Sequence, residues 1–322
     1  RSRKLTPQQI VDGLRTGNTY TTSGQIIDRL AFVACAGNPG RHGRSEQAVE
    51  SLALEAALDD TIVDQKGCAT MGERLQVEKG DDVIVAIVVR DPSGTNYSPY
   101  SFDNPSLLQV GIRQPLNRPE LAHVDVIRGM VTGLRQPGAP DYAGEWPRNT
   151  NWLRTDGTTA GLAAVPAAAK NESAQIYRTY TEATWKTVRR NPEYKVMSFR
   201  IRDVNASQYV RLRGSNLPAS VPFETDPAGN PLSDIYTNAI DESKLRIPCT
   251  ATGTNVPANG VLFTEADAKI DGCPNHLPVV NGVKYVAYDV AAWADLWFYS
   301  NPIYIEIEKK KGPKGQLIAR AD

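Results

Sequence analysis

Residues Lys195–Ser215 read KVMSFRIRDVNASQYVRLRGS. Apolar and polar side chains alternate through KVMSFRIRDV and again through SQYVRLRGS, the period-2 pattern of strands with one covered face. Asn205 and Ala206 separate the two runs, a spacing that suits a hairpin or a short connection. Working outward, DDVIVAIVVRDPSG (residues 81–94) is an apolar strand closed by the breakers Pro92 and Gly94. QIIDRLAFVACAG (25–37), AHVDVIRGMVTG (122–133), KYVAYDV (284–290) and NPIYIEIEKK (301–310) read as further strands. Val, Ile, Tyr and Thr dominate these runs, as packing on a pleated surface prefers.

Two stretches carry helical spacing instead. In LTPQQIVDGLRTGNTYTTSG (5–24), Thr6 suits the N-cap, Pro7 the first helical position and Gln9 the capping-box partner. Ile10, Val11 and Leu14 fall on one face, and Gly17 marks a left-handed stop before a polar turn into a strand. In RSEQAVESLALEAALDD (44–60), Ser45 suits the cap, and Val49, Leu52, Ala53, Ala56 and Ala57 form the apolar face.

Long Gly-, Pro- and Asn-rich connections, rather than helices, join most strands. Pro137–Ala169 is one long irregular stretch and Pro218–Asn238 another, and loops of that length either pack on a domain as insertions or meet a partner. The pattern implies a mainly β chain: an antiparallel β-sandwich with long inserted loops and two short helices. Residues 1–24 read as a terminal helix and its connection. Residues 25–322 read as the sandwich, with insertions at roughly 36–75, 137–169 and 218–280.

Lys and Arg number 36 and Asp and Glu number 36 in 322 residues, so there is no general electrostatic grip on nucleic acid or on an anionic membrane. The one sizeable basic run, Lys309–Lys311 with Lys314, reads as a solvated tail. No window approaches the roughly 20 apolar residues of a membrane span. The segment RSRKLTPQQ has no apolar signal core.

Cys35, Cys68, Cys249 and Cys273 form no CxxC pair, which argues against a zinc ribbon or a thioredoxin-type motif. Cys249 and Cys273 bracket a Gly-, Pro- and Thr-rich segment where covalent closure would contribute about 3–4 kcal/mol. The same reasoning pairs Cys35 with Cys68. Two disulfides favour a periplasmic or extracellular protein.

Catalytic motifs are scarce. His42, His123 and His276 are scattered, without an HxH, HExxH or HxxxH pair. Ser23 precedes Gly24 but lacks a G-x-S-x-G elbow, and RTGNTYTTSG lacks the ending of a P-loop. Asp226, Asn230 and Asp234 lie on one irregular loop whose oxygens suit calcium, although their spacing is not that of an EF-hand. Trp146, Trp152, Trp185, Trp293 and Trp297 could offer a sugar platform. Trp293 and Trp297 read instead as packing at the edge of the last strand.

Taken together, PQQIVDGLRTGNTYTTSG near the start, QYVRLRGSN and WADLWFYSNPIYIEI near the end, and ATMGERLQVEKGDDVIVAIVVRDP with HVDVIRGMVTG in the middle resemble a family. They are similar to the tails of exported proteins with a polymerase-and-histidinol-phosphatase (PHP) type barrel. In that family a helix like IVDGLRTGN follows the last barrel strand, TYTTSG resembles the exit from the barrel, and a β-sandwich follows. The family's metal centre uses histidines and acids that include an HxH pair, and none of those motifs is present here. The resemblance therefore implies no catalytic or cofactor-binding residue in this chain, and places the divalent metal in a barrel upstream. It implies a non-catalytic accessory domain of a metal-dependent phosphoesterase-like hydrolase that supports the barrel, shapes substrate access or mediates assembly. Its partner, that barrel or another chain, would be met through Ile10, Val11 and Leu14. The alternative expectation is a cell-surface binding or structural β module, in which the first helix closes onto the sandwich.

Overall fold

Val83–Arg90 shows why the chain builds layers. All of Val83–Val89 is buried, with Val83, Val85, Ile87 and Val89 entering one core and Ile84, Ala86 and Val88 another. A strand covered on both faces has no reason to alternate, which explains its unbroken apolar run.

The computed structural model describes residues 6–37, 43–98, 100–108, 110–131, 171, 173–221, 224–225, 229–231, 279–280, 283–284 and 292–308. In chain order the elements are α1 (Pro7–Thr16), β1 (Tyr20–Thr22), β2 (Arg29–Ala36), α2 (Glu46–Asp59), β3 (Cys68–Thr70), β4 (Arg74–Val77), β5 (Val83–Arg90), α3 (Pro105–Leu108) and β6 (His123–Met130). There follow β7 (Gln175–Thr181), β8 (Lys186–Val188), β9 (Asn191–Ile201), β10 (Gln208–Ser215), β11 (Val279–Val280), β12 (Val283–Lys284), β13 (Trp297–Ser300) and β14 (Ile303–Ile307). The mainly β, sandwich-like class is as the alternation predicts. α3, a single turn, is an addition to the two helices expected.

One sheet has the order β3-β2-β5-β9-β8 and is antiparallel throughout. In the other, β10 lies between β6 and the pair β13/β14, β7 flanks β6, β1 pairs with β13 and β4 pairs with β14. The β14–β4 pairing is parallel and the rest of this sheet is antiparallel. The main core lies between the sheets, where Phe32, Ile87, Phe199, Leu212 and Phe298 meet. A second core lies between the first sheet and α2, built from Val49, Ala53, Ala56 and Ala57 against Val33, Ile84 and Val88. Small residues on α2 let the helix approach the strands closely.

Lys195–Ser215 is a connection between sheets, not a hairpin. β9 pairs with β5 and β8, while β10 pairs with β6, β13 and β14, so neither strand has an edge left for the other. Val204 is buried at the crossing, donating its N–H to Asp81 O and accepting from Gly80 N at 2.9 Å each. Asp203 makes the turn with φ 51° and donates its N–H to Asp82 Oδ1 at 3.0 Å. The inward faces of β9 and β10 thus meet across one core instead of lying side by side.

The stretch 36–75, expected as an insertion, carries α2, β3 and the start of β4. Cys35 and Cys68 are register partners on β2 and β3 and are joined by a disulfide. The expected insertion 137–169, Cys249 and Cys273 lie outside the described residues, as do most of 218–280 and all of KYVAYDV beyond Lys284.

Candidate functional site

α1 stops where its sequence says it should. Gly17 adopts φ +73° and donates its N–H to Leu14 O at 3.3 Å. The stop is fastened to the sandwich by backbone contact with Gly72, itself at φ +83°. A Cβ at Gly72 would lie 2.6 Å from Gly17 Cα, so only glycine fits there. The anchoring partner is the break between β13 and β14. Asn301 donates its amide to Gly17 O at 2.9 Å and to Thr19 Oγ1 at 2.8 Å, and Gly72 N donates to Pro302 O at 2.8 Å. At the same break Ser300 Oγ accepts the Leu212 N–H at 2.8 Å, replacing a ladder bond.

α1 makes no extensive contact with any other element among the described residues. Val11 is 39% exposed and Leu14 65% exposed, while the Ile10 side chain lies outside the described residues. Covering what Val11 and Leu14 leave in water would contribute about 1.5–3 kcal/mol. The arrangement is a helix whose base is fixed and whose Val11 and Leu14 side chains face solvent.

The chain's most concentrated polar chemistry lies elsewhere, on the outer face of the sheet that holds β10. His123 and Asp125 from β6, Thr179 from β7 and Arg213 from β10 point away from the main core. A layer formed by α3 and the segment after β10 covers His123, Asp125 and Arg213, with Leu107, Leu217, Val221 and Trp297 packed together, while Thr179 stays exposed. Asp125 accepts from Arg213 Nε at 2.9 Å and from Thr179 Oγ1 at 2.6 Å. Arg213 also donates to Asn230 Oδ1 at 3.0 Å and Gly229 O at 2.9 Å, and lies over the Trp297 ring. His123 Nδ1 donates to Leu217 O at 2.6 Å, which leaves Nε2 as the unprotonated nitrogen, 3.7 Å from Asp125 Oδ2 and without a hydrogen-bond partner. Burial pushes the imidazole below its ordinary 6.5; the attraction of Asp125 works upward and does not overcome it. A buried ion pair with its remaining donors satisfied suits a clamp that holds the covering segment to the sheet.

The residues singled out from sequence are dispersed. Asn230 accepts a hydrogen bond from Arg213 at its side-chain oxygen, and its loop companions Asp226 and Asp234 lie outside the described residues. His42, His276, Trp146 and Trp152 lie outside them as well. Trp185 and Trp297 are buried and Trp293 packs against the main core, so these three serve packing and form no exposed platform. Among the described residues no group of three or more His, Cys, Asp or Glu side chains is placed to hold a metal ion, and no helix is long and apolar enough to cross a membrane. The His123–Asp125–Arg213 clamp escapes sequence reasoning because outward positions on alternating strands read as solvated. No family model, no curated protein and no solved structure matches this chain.

Proposed function

We propose that this chain is a non-catalytic accessory domain that docks through α1 onto a neighbouring folded unit, the upstream PHP-like barrel of a metal-dependent phosphoesterase-like hydrolase. The observation that carries the reading is the exposure of Val11 and Leu14 on a helix whose C-terminal end is clasped by Gly72 and Asn301. A fixed base with an uncovered apolar face positions a partner more rigidly than a frayed terminus can, and exposed apolar surface of this kind marks an interface. The divalent metal and its ligands belong to the barrel in this reading. The Cys35–Cys68 disulfide supports an oxidising compartment, periplasmic or extracellular.

The test is photo-crosslinking from a photoreactive residue at position 14 in the native protein from its source, followed by peptide mapping. Adducts to a segment with clustered histidine and carboxylate ligands support the reading. Adducts confined to the sandwich itself overturn it. A second check is activity. Supplied with manganese, zinc or iron, this chain alone should turn over no generic phosphodiester above a no-protein control, and turnover abolished by His123→Ala or His276→Ala contradicts the accessory role.

A further inference from the structure

An open cleft of about 600 Å³ lies between the 112–122 segment and the turn that follows β7. Ile112, Leu121 and Ala183 give it an apolar floor. Glu120 and Glu182, both exposed, stand on its rim, and neither forms a salt bridge among the described residues. Arg113 is already held by Asp103 at 3.1 Å, and Arg118 does not line the cleft. Gln114 also lines it and is only 9% exposed; its Oε1 accepts from Asn216 at 3.5 Å, while its Nε2 has no hydrogen bond among the described residues. The cleft therefore presents two unpaired anions, aliphatic surface and one side-chain amide donor open to solvent.

We infer that this cleft binds an extended peptide segment carrying basic and aliphatic side chains. The carboxylates of Glu120 and Glu182 take the cations, the floor takes the aliphatic groups, and the Gln114 amide donates to a peptide carbonyl. Charge complementarity selects a basic segment over an acidic one. An open cleft suits a chain that runs through it better than a small molecule, whose sites enclose most of the ligand. The inference does not depend on α1 or on the barrel.

The probe is a fluorescein-labelled hexapeptide of alternating leucine and lysine, with a leucine–glutamate counterpart, read by fluorescence anisotropy against the full chain. The lysine peptide should bind and the glutamate peptide should not. Glu120→Gln with Glu182→Gln should weaken binding about tenfold, the scale of two exposed ion pairs, and added salt should weaken the unsubstituted protein in the same direction. Ala183→Trp, at an exposed position on the floor, should abolish binding without changing the rim charges. Equal binding of the two peptides, no binding of either, or unaltered binding to the double variant or to Ala183→Trp each overturns the inference.

Discussion

α1 and α2 are helices of ten and fourteen residues in one chain, and they meet opposite circumstances. α2 is capped by Ser45, whose Oγ accepts the Ala48 N–H at 3.2 Å, and it ends on Asp60 in the left-handed region at φ 54°. Its apolar face is covered by β2, β5 and β9. Ser198 of β9 donates toward the carboxylates of Glu46 and Glu50, and Lys186 reaches Glu50 at 2.7 Å. α1 has a comparable stop, yet its Val11 and Leu14 are exposed and, among the described residues, no sheet covers them. The difference teaches that local signals specify that a helix forms, whereas the sheet beside it determines whether its face is used.

The largest contrast should come from placing a carboxylate on each face. Ala53→Asp puts an unpaired charge into the α2 core and should cost about 3–5 kcal/mol, enough to unfold a marginal domain. Leu14→Asp should change stability by no more than about 0.5 kcal/mol, because the side chain is already in water. Urea unfolding of the two variants measures both, and a large loss for Leu14→Asp would break the comparison.

Next in size is the covalent tie. Cys35→Ala with Cys68→Ala opens the loop that contains α2 and should cost about 2–4 kcal/mol. Proteolysis should then enter the α2 segment faster, with no change in cleavage around α1. Equal acceleration at both helices would show that α1 depends on the same core.

The smallest effect is electrostatic and belongs to α2 alone. Burial works against ionisation of Glu50, but its hydrogen bonds and charge attraction to Lys186, together with Ser198, hold the carboxyl below its ordinary 4.5. A carboxyl lowered in the folded state contributes stability above its ordinary value, and that contribution is lost as the pH falls through the folded value. Acidification below 4.5 should therefore erode the urea midpoint less in Glu50→Gln than in the unsubstituted chain. Parallel pH profiles would remove Lys186 and Ser198 from the account of why α2 stays seated.

Both helices were legible because caps, Pro7, Gly17 and helical spacing are local chemistry. β2 and β5 were legible because burial on two faces leaves an unbroken apolar run. β7 was not, since an edge strand with most of its side chains exposed reads QIYRTYT and only Tyr180 is buried. The crossing between β9 and β10 was half legible: the turn residues show a short connection, but the choice between hairpin and crossover rests on strands that arrive from far away. His123, Asp125 and Arg213 were legible singly as strand residues. Their meeting beneath a covering segment depends on the β6–β10 register, which no local pattern encodes.

Hydrogen exchange of residues 7–16 and 46–59 in the same sample of this chain bears most directly on the idea that α1 waits for a partner. Amides of α2 should exchange only through large-scale opening, while those of α1 upstream of the Gly17 clasp should exchange faster, through local opening of the helix. Slow exchange of α1, matching α2, would mean that the helix is secured within this domain, and the docking account would fail.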